Sequence, residues 1–309
     1  MSEVFDTDAR RAIRTALARD GFQRDTVRLI DTDLAGITWL VATHRGLYAV
    51  SRAGTKLIVH GWFFGIRRHG ENLYLFENCG LRMRSTPMGR LVRLTMAGDA
   101  IVAASVLAKG FHPNCHQLAV IDETICLLDT ANQTILRFAL DGTPLEPVRP
   151  FPAVPIDDAS GAYHHINAIA EHDGRIAILL HNGKARPERN SQLAWFDKAW
   201  NEIERTELPG RMCHDVVADP DGLLWHCASL TGEIVSADGQ RVPVIDGYMT
   251  RGLAFTDDMV IVGYSTFGPR KLRDGLRGGV VIMDRRFATV ARHELDGPPA
   301  DIVPIGTTC

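Results

Sequence analysis

Along most of the chain, apolar residues come in short runs broken by Gly, Asp, Asn and Pro, as in Ile37-Thr38-Trp39-Leu40-Val41, Gly46-Leu47-Tyr48-Ala49-Val50 and Lys56-Leu57-Ile58-Val59. Runs of this length between turn-forming residues predict β-strands joined by tight turns. One stretch differs. From Asp8 to Arg19, Ala9, Ala12, Ile13, Ala16 and Leu17 recur at helical spacing, Thr7 is placed to cap the start and Gly21 to stop the end. This predicts a helical appendage within residues 1–26, followed by an all-β body over residues 37–309.

The strand pattern repeats. A polar or His-bearing start, a small apolar strand, an acidic or Gly turn and a second apolar strand occur at Phe63–Leu75, His116–Leu128, Asn167–Leu179, Asp215–Trp225 and Arg251–Val262. Aligned on their turns, Phe63, His116, Asn167, Asp215 and Arg251 become equivalent, at a spacing of about 35–55 residues that suits a four-stranded propeller blade. A sixth copy is split, with Asp301-Ile302-Val303-Pro304-Ile305 as its innermost strand and residues 37–59 as its outer strands. The expectation is a six-bladed β-propeller closed by pairing of the chain's two ends, which removes open sheet edges. Five blades with a separate small sheet is the competing arrangement.

Composition narrows the function. The 309 residues are 45% hydrophobic and 23% charged, with a net charge of -3, which suits a globular chain with no bulk attraction to nucleic acid or anionic lipid. No apolar run reaches the roughly 18 residues of a membrane span, and the acidic start Met1-Ser2-Glu3 lacks the character of a signal peptide. The expectation is a cytoplasmic protein with a small-molecule partner, its cysteines kept as thiols.

In a propeller the first strand of each blade lines the central channel, so its opening residue faces the channel mouth. His116, His165 and His214 fall at or near that position, each separated from the next by 49 residues. Neutral imidazoles from three adjacent blades suit Zn²⁺ or Fe²⁺. Strict alternation would turn His214 away unless a bulge intervenes. A hard-cation site for Ca²⁺ or Mn²⁺, built from Asn167, Asp215 and Asp301 beside His116 and Arg251, competes with it. So does a channel filled by His, Asn and Asp that only hydrogen-bond one another. His44, His60, His69, His172, His181, His226 and His293 read as packing or surface residues, and His112 and His164 as rim residues.

The second-to-third strand connections return to the same mouth, and three are basic: Arg82, Arg84 and Arg90; Lys184, Arg186 and Arg189; Arg270, Lys271, Arg273 and Arg277. Guanidinium forks suit carboxylate or phosphate, which predicts an anionic ligand with Arg251 as the deepest clamp. Cys115–His116 and Cys213–His214 are strand neighbours that point to opposite faces, so neither is a thiolate–imidazole couple. No nucleophile elbow, phosphate loop or dinucleotide fingerprint occurs.

Thr250-Arg251-Gly252-Leu253-Ala254-Phe255, the Val262-Gly263-Tyr264-Ser265 run leading to Gly278-Gly279-Val280-Val281, His165-Ile166-Asn167 and His214 resemble an uncharacterised bacterial family of conserved propeller proteins, a likeness running from about residue 37 to the C-terminus. More distantly, Asn167 before a small-apolar strand and Asp215 before Asp221-Gly222-Leu223-Leu224-Trp225 are similar to the metal-ligand Asn and Asp of the gluconolactonase/senescence-marker class. That resemblance implies a divalent cation in the channel and lactone hydrolysis. The chain departs from the class at Phe63, where the class has a ligand Glu.

Together these readings predict a metal-dependent enzyme acting on a small anionic substrate by ester or lactone hydrolysis. His116, His165 and Arg251 are its catalytic candidates, and His116, His165, Asn167, His214, Asp215 and Asp301 its metal ligands. A lyase or isomerase using the same metal, and a non-catalytic ligand-binding scaffold, are the alternatives.

Overall fold

A computed structural model describes residues 12–13, 16–79, 87–156, 158, 160–182, 188–268 and 276–305. The N-terminal strands are β1 (Arg28–Leu29), β2 (Trp39–Thr43), β3 (Gly46–Val50) and β4 (Thr55–His60). The first blade is β5 (Phe63–His69), β6 (Asn72–Asn78), β7 (Gly89–Ala97) and β8 (Ala100–Phe111). The second is β9 (Cys115–Ile121), β10 (Thr124–Asp129), β11 (Thr134–Ala139) and β12 (Pro144–Val148), and the third β13 (Ile166–His172), β14 (Arg175–Leu180), β15 (Gln192–Phe196) and β16 (Glu202–Glu207). The fourth is β17 (His214–Ala218), β18 (Leu224–Ala228), β19 (Glu233–Ser236) and β20 (Arg241–Pro243). The fifth is β21 (Tyr248–Phe255), β22 (Met259–Thr266), β23 (Gly278–Asp284) and β24 (Thr289–Leu295), and β25 (Pro299–Pro304) ends the series.

Each quartet from β5 to β24 is its own antiparallel sheet, and β25 joins the N-terminal strands in the order β1-β4-β3-β2-β25. Leu40 pairs with Val303 and Val41 with Ile302, so the last strand becomes the innermost strand of the sixth blade. The described residues therefore form the six-bladed propeller, closed by the chain ends as the repeat predicts.

Tight turns set the inner hairpins. Asp173 and Gly174 connect His172 to its partner Arg175, and both adopt left-handed backbone, with φ of 49° and 69°. That conformation matches the twist of the flanking strands. Alternation then divides each second strand between two neighbours. On β10, Ile125 and Leu127 pack toward Phe64, Tyr74 and Phe76 of the first blade, whereas Cys126 and Leu128 pack toward Ile169, Ile176 and Ile178 of the third. The same division builds clusters between the other adjacent blades, such as Leu179 with Val216 and Leu224, and Trp225 with Leu253 and Val260. Each fully buried aliphatic side chain contributes about 1.5–3 kcal/mol to this inter-blade packing.

The N-terminal helix differs from expectation. It covers residues 16–24 and runs through Gly21 instead of stopping there; residues 8–11, 14 and 15 lie outside the described part. Arg90 explains the extension. Its guanidinium donates to Gly21 O at 2.8 Å and Thr26 O at 2.7 Å, satisfying carbonyls at the helix end, while Nε donates to Glu77 at 2.8 Å. Arg90 is only 2% exposed, so it latches the appendage to the first blade and is not the loop cation expected for an anion. No helix among the described residues is long and apolar enough to cross a membrane.

Candidate functional site

The innermost strands share one irregularity. Between Phe63 and Gly65, Cys115 and Leu118, Ile166 and Ala168, His214 and Val217, Thr250 and Leu253, and Pro299 and Asp301, pairing with the second strand shifts register. The residues left out of the ladder are Phe64, His116 with Gln117, Asn167, Asp215 with Val216, Arg251 with Gly252, and Ala300. A bulge bends its strand and re-aims the side chains it carries. These positions are the repeated ones found in the sequence, with one correction: Phe64, not Phe63, holds the first-blade position. Phe63 stays in the ladder opposite Glu77 and packs between the sixth and first blades.

At the level of the bulges, polar side chains tie blade to blade. Asp301 of the sixth blade accepts Ile66 N of the first at 2.9 Å. Thr130 of the second donates to Ile166 O of the third at 2.6 Å, and Asn167 of the third donates to Cys213 O, which precedes the fourth blade, at 3.2 Å. Asp215 of the fourth blade accepts Gly252 N of the fifth at 2.7 Å. Gly252 has φ of 85°, and a Cβ there would stand 2.8 Å from Ile302, so only glycine presents that amide without strain. Gln117 crosses the channel, its Nε2 donating to Asp215 and, at 3.1 Å, to Asp301. Burial raises the pKa of both acids. For Asp301 it does so to about 7, with Arg67 opposing the rise and Asp215 adding to it.

Above this layer the channel opens into a cavity of about 110 Å³ lined by His44, His116, His165, His181, His214 and Arg251 together with Tyr163, Asn114 and apolar residues. The imidazoles form a chain. Ring centroids lie 5.4 Å apart for His116–His165, 4.6 Å for His165–His181 and 5.0 Å for His181–His214. His44 lies 5.0 Å and His116 5.5 Å from the Phe64 ring, over which Arg251 sits at 5.8 Å. No carboxylate lines the cavity among the described residues.

Each histidine has a local cause for its placement. His116 occupies the second-blade bulge. Its Nδ1 faces Asn114 O at 3.0 Å and Thr130 Oγ1 at 2.8 Å. The carbonyl can only accept, and the Thr130 proton is directed to Ile166 O, so Nδ1 carries the hydrogen and Nε2 the lone pair. In the fourth blade, His214 Nδ1 meets Ser229 Oγ at 2.8 Å. Thr130 and Ser229 each follow directly on the second strand of their blade, and His181 and His44 hold the same place in the third and sixth blades. That is the signal which could have found His44 and His181, both read from the sequence as packing or surface residues: second strands run back to the mouth, so their first residue beyond the strand arrives there too.

His165 stands just before β13 with φ of 53°, and Asn182, Met212 and Asp215 are also left-handed around this mouth, at 59°, 53° and 59°. Such backbone is uncommon without glycine and concentrates where side chains are held for a task. The bulge at Asp215 brings His214 to the same cavity as His116 and His165, against the orientation that strict alternation implies. His214 has its pKa held well below the usual imidazole value, by burial first and then by Arg251, His181, His116 and His165.

The six residues expected to share a metal are thus divided. His116, His165 and His214 line the cavity with Arg251, whereas Asp215 and Asp301 spend their oxygens on Gln117 and backbone amides, and Asn167 Oδ1 is buried without a hydrogen-bond partner. Among the described residues no three of His, Cys, Asp and Glu come together so as to hold a metal ion. His112 and His164 do not line the cavity. Of the expected basic loops, residues 80–86, 183–187 and 269–275 lie outside the described residues, and with them Arg82, Arg84, Lys184, Arg186, Arg270, Lys271 and Arg273. Burial raises the thiol pKa of Cys115 and Cys213, the latter to about 11, which disfavours the thiolate form of either.

Fold and site together define a six-bladed propeller with a histidine-lined channel mouth. No family model and no curated protein matches the sequence. Solved structures do resemble it. A protein of unknown function from Bacteroides caccae aligns with a TM-score of 0.60 at 10% identity, over 88% of this chain and 100% of its own. A chain from a nidogen/laminin complex aligns at 0.62 and 12% identity, over 89% and 100%. A protein provisionally named 6-phosphogluconolactonase from Bacteroides fragilis aligns at 0.54 and 11%, over 87% and 98%. Likeness at these identities establishes the propeller fold alone.

Proposed function

We propose that the chain is an enzyme that hydrolyses a small anionic ester or lactone at the channel mouth. The observation that carries this reading is the row of His116, His165, His181 and His214 beside Arg251, in a cavity whose described lining holds no carboxylate. Arg251 supplies a permanent cation suited to the anionic group. The Nδ1–H tautomer of His116 leaves Nε2 as the basic nitrogen, able to take a proton from water as the water adds to the carbonyl carbon. The proton then passes to the departing alkoxide as the C–O bond breaks, and the imidazole returns to neutral. His214, held neutral by its surroundings at pH 7, supplies a second acceptor within the same row. The lactonase name of the Bacteroides fragilis propeller accords with this reaction class. None of these steps requires a divalent cation.

The test is a pH-stat assay of a panel of carboxylate- and phosphate-bearing lactones and esters. Hydrolysis that falls at least about 100-fold in His116→Ala and loses its preference for anionic substrates in Arg251→Ala, with unchanged circular dichroism, is the expected result. Activity indifferent to both substitutions, or none on any member of the panel, overturns the proposal.

A further inference from the structure

The cavity is not polar throughout. Its buried wall includes Met249, Pro298 and Pro299, and apolar side chains reach its open rim from three connections. Ile156 comes from the connection between β12 and β13, Met212 from that between β16 and β17, and Leu276 from that between β22 and β23. Ile156 is 38% exposed, and Met212 and Leu276 are partly exposed. Met212 is held there by left-handed backbone, a conformation that a non-glycine residue adopts at a cost. The same cavity is lined by Arg251 and the imidazoles, the groups that would meet an anion.

A ligand matching both kinds of lining has one charged end and one apolar end. We propose that the pocket recognises an amphipathic carboxylate, its carboxylate at Arg251 and the histidines and its short apolar chain against Ile156, Met212 and Leu276. The proposal rests on the anion-binding part of the reading above and deepens it by naming the ligand class. A planar carboxylate matches the guanidinium fork through two parallel hydrogen bonds. The rim side chains would then be covered by the ligand's methylene groups, each contributing about 0.8 kcal/mol, or roughly fourfold in affinity. A substrate of this class is an ester or lactone that carries a carboxylate and an aliphatic segment; the lactone opens to one hydroxy acid, and the ester gives an acid and an alcohol.

The straight-chain carboxylates from acetate to hexanoate test this directly, with affinities taken from NMR titrations of the full chain and sulfate as the tetrahedral control. Affinity that climbs about fourfold per methylene, with the climb collapsing in Met212→Ser/Leu276→Ser, is the expected result. A flat series, a climb that survives the double substitution, or sulfate binding as tightly as hexanoate overturns the amphipathic carboxylate while leaving an anion site in place. Carboxylates that bind equally well to Arg251→Ala, or do not bind at all, overturn the anion-binding reading itself and this inference with it.

Discussion

Replacing Asp301 by Asn probes the layer beneath the cavity through the pH dependence of stability. In the folded protein burial raises the Asp301 carboxyl from an ordinary value of 3.8 to about 7. Between those two values the folded chain holds a proton that the unfolded chain has released, so ionising Asp301 weakens folding as pH rises through the window. A shift of about three pH units corresponds to about 4 kcal/mol. This stabilising contribution is fully present below about pH 4 and gone above about pH 7. The amide cannot titrate. It also replaces one carboxyl oxygen by N–H₂, so that either the bond from Ile66 N or those from Ile302 N and Gln117 are lost, at a cost of about 1–3 kcal/mol at every pH. Urea denaturation of both proteins from pH 4 to pH 8 separates the two effects. The wild-type advantage, about 1–3 kcal/mol at pH 4, should fall by about 4 kcal/mol across the window and change sign by pH 8. An advantage that stays level, or grows with pH, would refute the idea that Asp301 is a buried acid stitching the sixth blade to the first.

Burial lowers the His226 pKa to about 4, so between the unfolded value of 6.5 and that point the unfolded chain binds the extra proton and stability falls with falling pH. His226→Leu should remove about 2 kcal/mol of that acid sensitivity, read from denaturation midpoints at pH 7 and pH 4.5. Arg90→Ala leaves Glu77 buried without its cation and removes the bonds to Gly21 O and Thr26 O, so a loss of about 3–5 kcal/mol is expected. Hydrogen exchange over residues 16–24 should quicken with it, and unchanged protection there would contradict the latch. Treatment with EDTA should leave hydrolysis and carboxylate affinity unchanged, whereas a stoichiometric metal by elemental analysis whose removal abolishes both would contradict a metal-free site.

The repeat from Phe63 to Val262, with its paired positions and Asp-Gly turns, was enough to read six blades and the closing strand at Asp301, because alternation and turn chemistry are local properties. It was also enough to bring His116, His165, His214 and Arg251 to one end of the channel. What local pattern could not show was which way each of these side chains faces, since that depends on a bulge in every innermost strand. A one-residue shift in a ladder reverses the facing of a strand, and it turned His214 into the cavity and left Phe63 in the core. Nor could pattern show that Asp215 and Asp301 each meet a backbone amide of the next blade, a contact that exists only once the ring has closed. His44 and His181 were misread for the same reason, since they sit beyond outer-looking strands and reach the mouth only because those strands run back toward it. Periodicity along the chain was determined by the sequence itself, whereas the meeting of side chains from different blades was decided by how six twisted sheets pack around one axis.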